Sequence, residues 1–120
     1  MKKVFLILAI SLCTFCTKRN TKIPKNIYPV EQVAIFLKDL YLMEQKIKDL
    51  KLDDDSSKII FDHYENQLYE KHHMNDSTYR ISFEYYMDDI TSLSKIYEII
   101  ADSLSLEERL ATKTIPDEDR

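Results

Sequence analysis

The sequence contains no glycine and no tryptophan, and it has only three prolines in 120 residues. Phosphate-binding loops, dinucleotide-binding turns and the nucleophile elbow of hydrolases use glycine for backbone conformations that other residues reach only at a cost. Two-residue hairpin turns of the primed types depend on glycine for the same reason. The absence of glycine therefore excludes these nucleotide-binding and hydrolytic motifs and argues against a protein built from β-hairpins.

Cysteine is scarce as well, because Cys13 and Cys16 are the only two. No cysteine follows them, so a disulfide framework within the rest of the chain is excluded. Their Cys-x-x-Cys spacing also occurs in metal and redox sites, which need a packed scaffold around the thiols. The apolar run that contains these cysteines does not supply such a scaffold.

The N-terminal segment combines Lys2 and Lys3 with an apolar run over residues 4–15. This is the arrangement of an export signal, which has a basic region followed by a short apolar region. A bilayer-spanning helix needs roughly twenty apolar residues, and Lys18 ends this run earlier. Residues 1–16 are therefore predicted to be an export signal, with an uncleaved N-terminal anchor and a buried helix as alternatives.

A cysteine at the end of a short apolar run resembles the modified cysteine of bacterial lipoproteins. The resemblance implies cleavage before that cysteine and attachment of diacylglycerol and a further acyl chain such as palmitate, and two or more chains hold a protein stably at a bilayer. Cys16 is the first choice, because it leaves an apolar run of normal length and precedes the polar Thr17. Cys13 is the second choice.

The predicted mature chain is acidic. Cleavage before Cys16 reduces the number of basic residues from 17 to 15 against 21 acidic ones, a net charge of −6. Such a balance excludes nucleic acid as a partner. The basic residues that follow the cysteine either attract anionic headgroups or belong to a solvated linker; they are Lys18, Arg19, Lys22 and Lys25.

Apolar residues recur at steps of three and four in the rest of the chain, which is the period of amphipathic helices. Asn75 suits the cap of one such helix, and His73 or a neighbouring residue is expected to make the left-handed turn that glycine usually makes. The fold class predicted is all-α, a small bundle of three to four helices. The predicted helices cover residues 29–51, 56–72, 76–87 and 90–111.

The predicted organisation has four parts. An export or lipoprotein signal covers residues 1–16, and a polar tether of extended character covers residues 17–28. The helical domain covers residues 29–111. Residues 112–120 are expected to form a flexible C-terminal tail.

The segment Tyr79-x-x-Ser82-x-x-Tyr85-Tyr86, preceded by Ile23-Pro24 and Leu37-Lys38-Asp39-Leu40, resembles a family of short Bacteroidota lipoproteins classified as domain of unknown function 4296. The resemblance covers roughly residues 23–106. It implies an exported lipoprotein with a helical fold, and it transfers no catalytic residue. Members usually have glycine near His73, phenylalanine at Tyr79 and proline near Ile90. The basic residues after Cys16 favour the periplasmic face, because surface-displayed members carry an acidic run there.

Four residues of this segment are the candidate interaction residues: Tyr79, Ser82, Tyr85 and Tyr86. Tyr85 and Tyr86 point about 100° apart on a helix, so Tyr86 is expected to continue the buried stripe and Tyr85 to lie at its rim. A rim tyrosine suits partner recognition, because it offers a large area and a hydroxyl at a small entropy cost. The alternative is that these residues lie at a core boundary, with Ser82 at a helix crossing.

The charged residues do not form a recognisable catalytic or metal-binding motif. His72 and His73 are adjacent, which is unsuitable for two ligands on one helix face, and His63 has Gln67 four residues later. The aspartates at 53–55 lack the spacing and central glycine of a calcium loop. We predict no catalytic residue, no cofactor and no metal site, and we do not expect an enzyme.

The sequence thus predicts a lipid-anchored helical lipoprotein of the cell envelope, held at a membrane with the periplasmic face favoured. Its predicted role is a non-catalytic interaction or scaffold module that binds another envelope protein. The alternative is a carrier or sensor of a small apolar or peptide ligand in an aromatic cleft between helices. The tyrosines expected to line that cleft are Tyr41, Tyr64, Tyr69, Tyr79, Tyr86 and Tyr97.

Overall fold

The computed structural model describes residues 22–114, which form four α-helices and no strand. The prediction of an all-α bundle is confirmed. The predicted signal, both cysteines and the last six residues of the predicted tail lie outside the described residues. The helices are α1 (Val30–Asp49), α2 (Asp54–Lys71), α3 (Asp76–Met87) and α4 (Ile90–Thr114).

Three helix ends differ from the predicted ones by two or three residues. Helix α1 ends at Asp49, and Lys51 after it adopts a positive φ of 51°. Helix α2 begins at Asp54, because the side chain of Asp53 accepts a hydrogen bond from the backbone N–H of Ser56 and so caps the helix. Helix α4 continues to Thr114, three residues into the predicted tail.

The connection between α2 and α3 follows the prediction, and α4 is capped by a side chain as α3 is. The side chain of Asn75 accepts a hydrogen bond from the backbone N–H of Thr78 at 2.7 Å. His73 has a φ of 52°, the left-handed conformation expected for it. Asp89 accepts a hydrogen bond from the backbone N–H of Ser92 at 3.1 Å and so caps α4.

Helix α1 is the central element, because it packs against α2, α3 and α4, while α3 also packs against α4. The ring of Phe36, fully buried, lies 4.5 Å from the ring of Tyr79 and 4.8 Å from that of Tyr69. The buried core is concentrated at the start of α1, in α3 and in the first half of α4. Its members are Val30, Val33, Ala34, Phe36, Leu37, Met74, Tyr79, Tyr86, Ile96 and Ile100.

The two ends of the bundle are packed unevenly. We call residues 30–37, α3 and residues 90–100 the packed end, and residues 39–50 of α1 with residues 54–68 of α2 the open end. No residue of α2 is fully buried. Of its periodic apolar residues, Ile60, Phe61 and Leu68 are half-buried and Tyr64 is exposed. Helix α2 therefore lies on α1 without being covered on its other sides.

Candidate functional site

The segment before α1 is fixed to α3 by Ser82 and Tyr86, which lie four residues apart on the same helix face. The backbone N–H of Tyr28 donates to the Ser82 hydroxyl at 2.9 Å, and that hydroxyl donates to the carbonyl of Thr78 at 2.6 Å. The Tyr86 hydroxyl donates to the carbonyl of Tyr28 at 2.8 Å. Both backbone polar groups of Tyr28 are thus satisfied by side chains of α3.

The side chain of Tyr28 makes a third connection to the packed end. Its hydroxyl accepts a hydrogen bond from the backbone N–H of Asn75 at 3.1 Å. We call the contacts of Tyr28 with Asn75, Ser82 and Tyr86 the Tyr28 clamp. Tyr28 was predicted to belong to the tether, and the clamp was not predicted because its partners lie between 47 and 58 residues away in the sequence.

Tyr79 belongs to a stack of aromatic rings in the core. Its ring lies 6.1 Å from the rings of both Tyr69 and Phe83, in addition to its contact with Phe36. Burial raises the pKa of Tyr79 to about 12, helped by the neighbouring Tyr41 hydroxyl. Burial likewise raises the pKa of Tyr69, whose hydroxyl donates to the Asp76 carboxylate at 3.2 Å.

Tyr85 and Tyr86 differ in burial as their helical spacing predicted. Tyr86 is 2% exposed, whereas Tyr85 is 37% exposed, with the two rings 5.3 Å apart. Of the four candidate interaction residues, Tyr79, Ser82 and Tyr86 contact other parts of this same chain. Only Tyr85 among the four presents its side chain to solvent, so a partner-binding role for this segment remains a prediction centred on Tyr85.

The open end contains a groove between α1 and α2, which we call the α1–α2 groove. Its volume is about 640 Å³, which lies within the range of ligand-binding clefts. Polar side chains at its edges are Asp39, Lys46, Gln67 and Lys71. The remaining wall is apolar and consists of Leu42, Met43, Ile47, Leu50, Ile60, Tyr64 and Leu68.

A second recess lies beside the same two helices and includes Ile47, Leu52 and Phe61. Its rim is charged, and two pairs of these charges form ion pairs, one along each helix. Lys48 lies 2.9 Å from the Glu44 carboxylate, and Lys58 lies 2.6 Å from that of Asp62. This recess is therefore less suited to an apolar ligand than the α1–α2 groove.

A charged network lies where α1, α2 and α4 meet. Lys38, only 7% exposed, contacts the carboxylate of Glu107 and lies 3.4 Å from that of Asp39. The hydrogen bond with Glu107 raises the pKa of Lys38, against the opposing effect of burial. The Asp39 carboxylate also contacts Lys71 at 2.8 Å and the Nε2 atom of His72 at 2.9 Å.

The same network explains the ionisation of Asp39. Burial by itself would raise the pKa of this carboxyl, but hydrogen bonds from Lys71 and His72 outweigh burial and lower it. His72 further packs edge-on against the ring of Phe36, with the two centroids 5.6 Å apart. Through Asp39, these contacts join α1 to the C-terminal end of α2.

The histidines are not arranged as a set of metal ligands in this structure. His63 is within hydrogen-bond distance of the Gln67 amide, and His72 contacts Asp39. Within residues 22–114, no group of three or more histidine, cysteine or acidic side chains is positioned to hold a metal ion. Over the same stretch, none of the helices is both long enough and apolar enough to cross a bilayer.

The six tyrosines expected to line one aromatic cleft do not do so. Tyr69 and Tyr79 stack on Phe36 in the core, and Tyr86 belongs to the Tyr28 clamp. Tyr41 and Tyr97 are exposed and hydrogen-bonded to each other, which raises the pKa of Tyr41. Of the six, Tyr64 lines the α1–α2 groove. The cleft present is therefore mainly aliphatic, and sequence reasoning missed it because it depends on how α1 and α2 pair.

Comparison with known proteins gives a family and no activity. No significant match was found among curated proteins, and none was found among solved structures. The model of the family described as Domain of unknown function (DUF4296) matches residues 24–109, which include all of α1, α2 and α3 and most of α4. The match covers more than half of the sequence, and the chain belongs to this family of unknown function.

Proposed function

We propose that this protein is an exported lipoprotein, anchored through a lipid on Cys16, that presents the α1–α2 groove to another envelope protein. Cys13 is the second choice for the modified residue, and the periplasmic face of a membrane is the favoured location. The proposed role is non-catalytic. The observation that carries the proposal is the open end, where an apolar groove lies between two helices that cover each other incompletely.

The exposed side chains of the open end support a docking role. Leu42, Leu50 and Tyr64 line the groove and are exposed. Contiguous apolar surface on a monomer commonly marks an interaction site. A groove between two helices accepts an amphipathic helix, whose apolar side chains recur at steps of three and four. We therefore expect the partner to contribute a helix of this kind.

The placement of the groove fits an anchored protein. The Tyr28 clamp fixes the chain entering from the N-terminal side to the packed end. Helix α1 has 20 residues, a length of about 30 Å, and the groove lies along residues 39–50 of its second half. An anchor on Cys16 would thus hold the packed end near the membrane and leave the groove directed away from it.

Photo-crosslinking in cells tests the docking role. A photo-reactive amino acid at Leu42, inside the groove, should give a discrete adduct that mass spectrometry identifies as one envelope protein. Tyr64→Ala should abolish that adduct, whereas Ile59→Ala, a change on the same helix outside the groove lining, should retain it. The same reactive group at Tyr85 is the comparison. Adducts that form at Tyr85 but not at Leu42 would contradict the groove and favour α3 as the binding surface.

Metabolic labelling with palmitate tests the anchor. The Cys16→Ser variant should lose the label and accumulate as the uncleaved precursor, whereas the Cys13→Ser variant should be labelled as the parent is. The reverse result would assign the lipid to Cys13. Absence of label from the parent protein would contradict the lipoprotein assignment.

The groove volume also favours a second candidate, a carrier or sensor of a small apolar or peptide ligand. About 640 Å³ is enough for a small molecule. Native mass spectrometry of protein purified from the envelope should then show added mass, and Leu42→Glu should remove it by placing a charge in the groove. A parent protein with no added mass would contradict this role.

A further inference from the structure

We infer that the packed end of the bundle rests on the bilayer to which the protein is anchored. The contact would be made by Lys22, Ile23, Lys25, Met87 and Ile90, which we call the basal surface. This inference depends on the proposed lipid anchor and adds to it an orientation and a second contact with the membrane. The partner is the lipid surface itself.

The distance between the anchor and the bundle places the basal surface near lipid. Cys16 lies six residues before Lys22, so even a fully extended chain separates the two by only about 21 Å. From there the chain reaches Tyr28, whose carbonyl accepts the hydrogen bond from Tyr86 near the end of α3. Tyr28 comes directly before α1, so the lipid would be tied to the end of the bundle where α1 begins, which the Tyr86 hydroxyl joins to the last turn of α3.

The side chains exposed at this end suit a membrane interface. Met87 and Ile90 lie on either side of the α3–α4 turn and are 54% and 74% exposed. Ile23 is exposed in the entering segment, between the exposed Lys22 and Lys25. Apolar side chains that enter the acyl boundary, with lysines at the headgroups, are typical of proteins that lie on a membrane surface.

The charges of the turn decide which kind of membrane contact is expected. Asp88 and Asp89 lie between Met87 and Ile90, and carboxylates are repelled by anionic headgroups. Lys22 and Lys25 oppose that repulsion. Because these two lysines and two aspartates cancel in charge, insertion of the apolar side chains is the driving interaction of the basal surface. We therefore expect the contact on zwitterionic phosphatidylcholine, without a need for anionic lipid.

Single tryptophans can test this orientation, because the natural chain has none. Ile90→Trp places a fluorophore on the basal surface. Ile59→Trp is the matched control, since Ile59 is 71% exposed on α2 at the open end. The full chain, produced in a lipidating host, is reconstituted into phosphatidylcholine vesicles, and flotation is measured first. Fluorescence is then compared between plain vesicles and vesicles whose acyl chains carry bromine, a contact quencher.

The inference predicts that brominated lipid lowers the Ile90→Trp emission about two-fold and leaves the Ile59→Trp emission nearly unchanged. Met87→Trp should behave as Ile90→Trp does and guards against a local effect of one substitution. Floated protein with equal quenching at both ends would overturn the inference and leave the anchor intact. Protein that does not float would overturn the anchor and the inference together.

Discussion

Ser82 shows how a single small side chain can hold this fold together. Its hydroxyl accepts a hydrogen bond from the backbone N–H of Tyr28 and donates one to the carbonyl of Thr78. The side chain is fully buried. A buried donor that loses its acceptor retains the full cost of its desolvation. Two residues of the segment that carries the family resemblance thus make an internal contact, since both Ser82 and Tyr86 bind the backbone of Tyr28.

Replacement of Ser82 by alanine should lower the free energy of unfolding by about 1–3 kcal/mol, because it leaves the N–H of Tyr28 without its acceptor. Ser94→Ala is the matched control, an exposed serine on α4, with an expected change within about 0.5 kcal/mol. Urea unfolding followed by circular dichroism measures both. Equal stability of the two variants would show that the clamp does not stabilise the fold.

Tyr79 should make the protein less stable at alkaline pH. Its pKa is raised by burial from 10 to about 12 in the folded chain, so the folded state favours the neutral phenol more than the unfolded state does. The stability from this difference is fully present below the unfolded pKa and is lost as pH rises from about 10 to about 12. Tyr79→Phe should show a smaller decrease in melting temperature over this interval. A decrease as large as that of the parent would contradict this.

Residue by residue, the sequence predicted local relations better than distant ones. The separate burial of Tyr85 and Tyr86 followed from an angle of about 100° between neighbours on a helix. The clamp on Tyr28 did not follow, because nothing local to residues 22–28 indicates that α3 will pack beside them. Pro24 and the lysines around it predict an extended linker, and the linker's last residue acquires partners only in the folded bundle.

The helix connections of this chain are made without glycine. His73 and Lys51 both follow helices and both have positive φ, at 52° and 51°. For residues with a Cβ atom this conformation costs about 1–2 kcal/mol. Asn75, two residues after His73, already caps α3. The connection between α2 and α3 is therefore short, and its geometry leaves His73 little choice of conformation.

The variant His73→Gly should therefore raise the free energy of unfolding by about 0.5–1 kcal/mol, since glycine removes the steric cost and only partly adds unfolded-state entropy. His63→Gly is the matched control. His63 lies inside α2, and glycine there should lower stability by about 0.5 kcal/mol, since histidine is itself a weaker helix former than alanine. Chemical unfolding of both variants checks the sign. A loss of stability at both positions would mean that the φ of His73 is not a strained one.

At the level of elements, the apolar period predicted which segments are helices and in which order. It did not predict which apolar faces are covered. Tyr64 lies on the same apolar stripe as Leu68, but Tyr64 is exposed and Leu68 is half-buried. The apolar periodicity predicts which face of a helix can be buried. Burial itself also requires a neighbouring helix that packs against that part of the face. The α1–α2 groove results from this difference, and no residue in it is distinctive in the sequence.

The whole molecule has a gradient of packing along α1. At the packed end, Phe36 packs against Tyr79 of α3 in a core that also includes Ile96 of α4, and the Tyr28 clamp adds polar contacts. At the open end, α2 lies on α1, and none of the residues of α2 is fully buried. The charged network of Lys38, Asp39 and His72 lies at the border between the two. With the proposed anchor at the packed end, the less tightly packed, apolar end is left for the proposed partner.

This gradient predicts uneven amide hydrogen exchange. Regions with few buried apolar contacts open locally at a lower free energy than the core does. Amides of α2 over residues 57–67 should therefore exchange faster than those of residues 33–37 in α1 and 82–86 in α3, by an order of magnitude or more. All three segments lie in helices, so helical hydrogen bonding alone does not distinguish them. Mass spectrometry of the full chain after timed exposure to deuterated water measures the rates. Equal protection in the three segments would show that the bundle opens as one cooperative unit, and the open end would then lack the separate mobility that a partner helix is expected to suppress.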